Sequence, residues 1–208
     1  MVSLLVATRL GAAGAAPLAT PSKPDAAATE ASDANLEPSM ERSGIVSTFA
    51  LGGGFTLGFG IPNATGTGGA FALRVAEVAS RRALVHLELV GAALFSRKGS
   101  DEVSVSYRTD AAAALVGGQY YVNRSVWVRI AAGVGNYHGN PATVMTSTGP
   151  LEIPGVPRIW GVAGSVGAGF ELFAVEHLHG GFEVMATSLA TSGGMVTSSA
   201  MLFSIALQ

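Results

Sequence analysis

Nine ionisable residues of this 208-residue chain fall where they could act together: Arg74, His86, Glu88, Arg108, Asp110, Arg129, Glu171, His179 and Glu183. Each occupies a position of a two-residue alternation that turns it to the same side of its segment as its small neighbours. Three arginines face four carboxylates, with two histidines beside them. An isolated ion in such surroundings is costly, so a near-balanced set points to mutual pairing. The expected chemistry is a salt-bridged interior, with no catalytic residue assigned.

Other constellations are weaker. His86-x-Glu88 and His177-x-His179 each put two ligating groups on one strand face, but two residues do not close a metal site. His138 shares a segment with Ser147 and Thr148, yet nothing in the spacing sets Ser147 where that histidine could activate it. Gly52-Gly53-Gly54 and Gly164-x-x-Gly167-x-Gly169 lack the following helix that a phosphate loop requires. Cysteine is absent, which excludes disulfides, thiolate chemistry and cysteine-held metals. The reading therefore holds no metal, no cofactor and no established binding residue.

Composition narrows the class. The chain is 49% hydrophobic and 12% charged, with 28 glycines and a net charge of -2. A soluble domain averages about a quarter charged residues. There is no basic field to recruit nucleic acid. No apolar run reaches the 18 or so residues of a spanning helix. High hydropathy without such a helix leaves a dry soluble core or a membrane β-barrel.

Three regions differ along the chain. Residues 1–19 are small and apolar and end in an A-x-A-like stretch, as a secretory signal peptide does. Residues 20–43 are rich in Ala, Pro, Ser, Thr, Asp and Glu and read as a disordered periplasmic tail, because they cannot bury enough surface to offset ordering. From Gly44 to the end, alternation of period two replaces this composition and defines residues 44–208 as one all-β domain.

The first strand shows the pattern best. Ile45, Phe49, Leu51, Phe55, Leu57, Phe59 and Ile61 hold the odd positions, and Thr48, Ala50, Gly52, Gly54, Thr56, Gly58 and Gly60 the even ones. Neither face carries a charge. A bulky face on lipid and a small face on a narrow lumen explain this better than a soluble barrel would. Seven more strands are expected near 69–80, 83–97, 103–122, 125–137, 158–174, 178–188 and 195–207. Most reach the length of a tilted membrane strand. Short connections after the second, fourth and sixth alternate with longer ones, including the proline-rich 136–157, which is expected as an extracellular loop.

An exported N-terminus, eight alternating strands and a last strand reading Met201, Phe203, Ile205, Leu207 resemble the small bacterial outer-membrane β-barrels of the OmpA transmembrane-domain and OmpX kind. The resemblance covers about 44–208. It implies an eight-stranded antiparallel up-and-down transmembrane β-barrel in the bacterial outer membrane, a monomer inserted by the barrel assembly machinery, with membrane lipid or lipopolysaccharide as its partner. The chain departs from that family in ending Leu207-Gln208 rather than in an aromatic residue.

Register carries the reading inward. A turn centred on Arg81 sets Arg74 opposite Glu88, and a two-residue Asn123-Arg124 turn sets Tyr120 opposite Trp127, both facing the lumen. Glu77 faces outward and requires the periplasmic rim. Tyr107, Tyr121, Trp160 and Phe173 are expected in aromatic girdles on the lipid side. Eight strands leave an interior only just filled by side chains. The leading expectation is thus a non-enzymatic barrel with a plugged lumen, structural or interacting at the surface through 136–157. The alternatives are a membrane-embedded lipid-modifying enzyme or small-solute channel, and a soluble exported lipocalin-like barrel binding an apolar ligand.

Overall fold

Alternation of large and small residues makes one face of every long segment incompatible with the other, and a closed sheet satisfies both faces at once. The computed structural model describes residues 44–61, 64–99, 104–146 and 149–208. The expected signal peptide (1–19) and tail (20–43) lie outside the described residues, as do Ser147 and Thr148.

Ten strands follow in order: β1 Ile45–Phe59, β2 Gly66–Ser80, β3 Ala83–Gly99, β4 Ser104–Tyr121, β5 Val126–Gly139, β6 Ala142–Thr146, β7 Gly149–Ile153, β8 Ile159–Val175, β9 Leu178–Thr191 and β10 Gly194–Leu207. Eight of them close an antiparallel barrel in the order β1-β10-β9-β8-β5-β4-β3-β2, and β6 pairs with β7 in a separate hairpin. The expected eight-stranded up-and-down barrel is what the chain forms. The hairpin was not expected. It occupies the proline-rich segment, whose residues show no sustained alternation to announce a strand.

Cross-strand partners that leave β1 at Thr48 pass through Arg74, Glu88, Leu115, Gly133, Ala163, Leu189 and Val196 and return to β1 at Gly58, ten residues further on. This stagger tilts the strands by roughly 40°. Bulges at Ala79 and Leu172 adjust the register of β2 on β3 and of β8 on β9. The close turns at 81–82, 122–125 and 176–177 share one end with Gly44 and Leu207. Short turns mark the periplasmic end of such barrels, and the β6–β7 hairpin lies at the opposite end.

The outward faces are apolar where a bilayer would lie. Val85 to Phe95, Ala112 to Val122 and Val126 to Val134 each give about ten residues of strand whose outward side chains are uncharged, the span a tilted strand needs to cross hydrocarbon. Leu87 is 63% exposed, Ile130 66% and Val162 70%. Soluble monomers do not carry continuous apolar surface on this scale. Glu77 is exposed four residues from the periplasmic turn at Arg81, where charge costs little.

Candidate functional site: the charged layer of the lumen

Four of the nine residues meet at one level of the barrel. Arg74 on β2 and Glu88 on β3 are cross-strand partners, and Arg74 Nε donates to Glu88 Oε1 at 2.7 Å. Arg74 Nη2 also donates to Glu183 on β9. Arg129 on β5 reaches both carboxylates, with Nη1 3.0 Å from Glu88 Oε1 and 3.5 Å from Glu183 Oε2. Ser165 Oγ on β8 donates to Glu88 Oε2 at 3.3 Å. All four charged residues are buried. Two guanidiniums and two carboxylates sum to zero charge, so every ion taken from water has an opposite neighbour.

The walls are shaped to admit these side chains. A Cβ at Gly167 would lie 2.9 Å from Arg129 Nε, and one at Gly169 would lie 2.4 Å from Trp127 Cζ2. Glycine at both positions lets Arg129 and Trp127 lie flat on β8. The Arg129 guanidinium carbon sits 5.6 Å from the Trp127 ring centroid, within range for a cation–π contact. His86 is buried against the same layer, its Nε2 3.9 Å from Glu88 Oε2. Neither ring nitrogen of His86 has a hydrogen-bond partner among the described residues, and Arg129 Nε has none either.

A second polar group closes the periplasmic end. Tyr121 Oη donates to Glu171 Oε1 at 2.9 Å, and His179 Nδ1 lies 3.5 Å from Glu171 Oε2. Val46, Ala76, Leu84 and Trp127 pack around it. Towards the exterior the lumen is uncharged, with Thr56 and Ser198 hydrogen-bonded at 2.6 Å, and ends at Ile61, Ala64 and the fully buried Tyr137. Between lies a cavity lined mainly by Ala70, Val90, Ala113, Met185 and Ala200, with about 40 Å³ of free space.

Two of the nine residues are elsewhere. Arg108 and Asp110 were expected in the lumen, but β4 turns its odd positions inward: Thr109 and Leu115 are buried, while Arg108 and Asp110 pair with one another on the outer face at 3.3 Å, with side chains 57% and 39% exposed. The cause is the turn after β4. Asn123 Oδ1 accepts the amides of Ser125 at 2.9 Å and Val126 at 2.8 Å, and Val126 O accepts the Val122 amide. Three residues are thereby enclosed instead of two, and one extra residue exchanges the faces of the strand. Trp127 accordingly pairs with Tyr121, not Tyr120. Tyr121 is buried and Tyr120 is 48% exposed. Of the expected girdle aromatics, Trp160 and Phe173 face outward, Tyr107 shares the face of Thr109, and Tyr121 lies inside.

The candidate histidine sites remain incomplete. Among the described residues no group of three or more His, Asp or Glu is arranged to hold a metal ion. His138 is the cross-strand partner of Asp110 on the outer face; Ser147 lies outside the described residues.

A closed eight-stranded barrel, an apolar belt of membrane height and short turns at the end that holds Gly44 and Leu207 define a small outer-membrane β-barrel protein. No protein-family model matches the chain, and no curated protein does. Among solved structures, Ail, the attachment invasion locus protein of Yersinia pestis, is similar with a TM-score of 0.54 and 11% identity, over 80% of this chain and 100% of that one. A second structure of Ail, in complex with the heparin analogue sucrose octasulfate, gives 0.53 and 9% over 79% and 99%. Neisserial surface protein A aligns at 0.44 and 8% over 79% and 97%. At these identities the likeness is one of fold.

Proposed function

We propose that this chain is a non-enzymatic outer-membrane barrel whose lumen is plugged by its own charges and which acts through its wall and its extracellular hairpin. The observation that carries the reading is the neutral cluster of Arg74, Glu88, Arg129 and Glu183, which ties β2, β3, β5 and β9 together across the lumen. Residues committed to one another in this way are unavailable as acid, base or solute ligand. The putting of Glu171 and His179 beneath them adds a second obstruction. Residues 1–19 serve as the export signal and 20–43 as a periplasmic tail in this reading, and the barrel works as a monomer.

Binding of a sulfated polyanion, as in one Ail structure, gains little support from overall charge. The extracellular segments carry Arg97, Lys98, Arg108 and Arg158 against Asp101, Glu102, Asp110 and Glu152. The test of a plugged lumen is conductance. Purified barrel in a planar lipid bilayer is expected to show no steady open state, and a stable ohmic conductance in the unmodified protein would establish a channel instead.

A further inference from the structure

The two halves of the lumen differ in kind. At and below the charged layer, His86 Nδ1 and Nε2, Arg129 Nε and His179 Nδ1 are buried polar atoms without a hydrogen-bond partner among the described residues, and such atoms are places for water. Above the layer the inward positions change character at once. Ala72 follows Arg74 on β2, Val90 follows Glu88 on β3, Ala131 follows Arg129 on β5 and Met185 follows Glu183 on β9, all of them buried. From these residues up to Tyr137, no Asp, Glu, Lys, Arg or His side chain faces the lumen among the described residues. The interior of an outer-membrane barrel is ordinarily polar.

The few hydroxyls of the upper half do not make it wet. Thr56 and Ser198 hold each other at 2.6 Å. Thr187 Oγ1 is the buried side-chain atom of this half that lacks a partner among the described residues. A buried water needs about two to four polar partners, and a cavity walled by apolar groups stays empty. The cavity between the charged layer and Tyr137 has about 40 Å³ of free space, walled mainly by Ala70, Val90, Ala113, Met185, Leu189 and Val196. An ion entering it would shed its hydration shell against methyl groups, with nothing to replace the lost hydrogen bonds.

We propose that the upper lumen is a second seal, in series with the charged layer, which stops ions by staying dry. The proposal rests on the plugged-lumen reading and adds to it where the last barrier lies. Its consequence is that taking the salt bridges apart does not open the barrel, because the path for water still ends at Val90 and Met185. Hydroxyls placed on the same wall would hold water and complete the path. A wider wall of methyl groups would not, since an apolar constriction excludes ions by dewetting.

Conductance of the full chain, folded in a planar lipid bilayer, tests the second seal. The layer is removed together with the Trp127 ring beneath it by Arg74→Ala, Glu88→Ala, Arg129→Ala, Glu183→Ala and Trp127→Ala, which leaves the net charge of the lumen unchanged. Where that form does not fold, Trp127→Ala with Arg129→Ala and Glu183→Ala is read in its place. The layer-deleted barrel is expected to stay as silent as the unmodified one. Adding Val90→Ser, Met185→Ser, Leu189→Ser and Val196→Ser is expected to produce stable ohmic openings, and alanine at the same four positions, which widens the wall about equally, to leave the barrel silent. Steady current through the layer-deleted barrel or its alanine form, or silence of the folded serine form, would overturn the second seal. Current through the unmodified protein, or through the four serine changes with the layer intact, defeats instead the charge-plug reading on which the proposal rests. Heat-modifiable migration of each sample shows that a folded barrel is being measured.

Discussion

At the scale of single residues the lumen charges behave as one object. Arg74 and Arg129 each approach both Glu88 and Glu183, so deleting any one member leaves a net charge among the other three. Glu183→Leu is expected to destabilise the barrel by about 3–5 kcal/mol, the usual cost of breaking a buried pair. Arg129→Leu alone should cost a similar amount, whereas the two changes combined as Arg129→Leu with Glu183→Leu remove one charge of each sign and should cost well under their sum. Urea unfolding in detergent or vesicles measures all three, and additive losses would show that the layer is not coupled. The opposition of Arg74 and Glu88 could be read from sequence, because one short turn fixes the register of two adjacent strands. The approach of Arg129 and Glu183 to the same point could not. Neighbours across the lumen depend on the stagger accumulated round the whole circuit, which no local pattern records.

At the scale of elements, period-two alternation made the eight barrel strands legible, since each must be bulky on one side and small on the other. What it could not supply was the face of β4. That depended on a side-chain capture of two amides by Asn123, and one residue more in the turn sent Arg108 and Asp110 outward. The β6–β7 hairpin stayed hidden because its strands are five residues each and follow no alternation. Strand β8 shows the reverse constraint, a sequence feature whose reason appears only in three dimensions. At Gly169 a Cβ would meet the Trp127 ring at 2.4 Å and Phe182 O at 2.7 Å, whereas at Gly118, on the outer face of β4, its nearest neighbour would be Leu84 O at 3.7 Å. Trp127 cannot easily yield, because Arg129 lies beside it. Gly169→Ala is therefore expected to cost about 1–3 kcal/mol by overpacking, and Gly118→Ala to fall within about 0.5 kcal/mol of the unmodified protein. Equilibrium unfolding midpoints of the two variants compare them directly.

At the scale of the whole molecule the decisive property is what surrounds the barrel, and one outward side chain can report it. Leu89 lies at the middle of the apolar belt of β3, 55% exposed, with the exposed Leu73 and Ala114 as cross-strand partners. In water, replacing so exposed a leucine by arginine would change stability by no more than about 0.5 kcal/mol. At the middle of a bilayer the same change costs about 2–4 kcal/mol, and near an interface about 0–1 kcal/mol. Phe59, 59% exposed at the extracellular end of β1, supplies the interfacial comparison with nearly the same exposure. Leu89→Arg is thus expected to weaken folding into phosphatidylcholine vesicles by about 2–4 kcal/mol while Phe59→Arg stays near 1 kcal/mol or below. Exposure alone predicts equal effects, so depth in lipid is the only variable that separates the pair. Near-neutral results for both would mean that this wall meets water, and the apolar belt would then need another explanation.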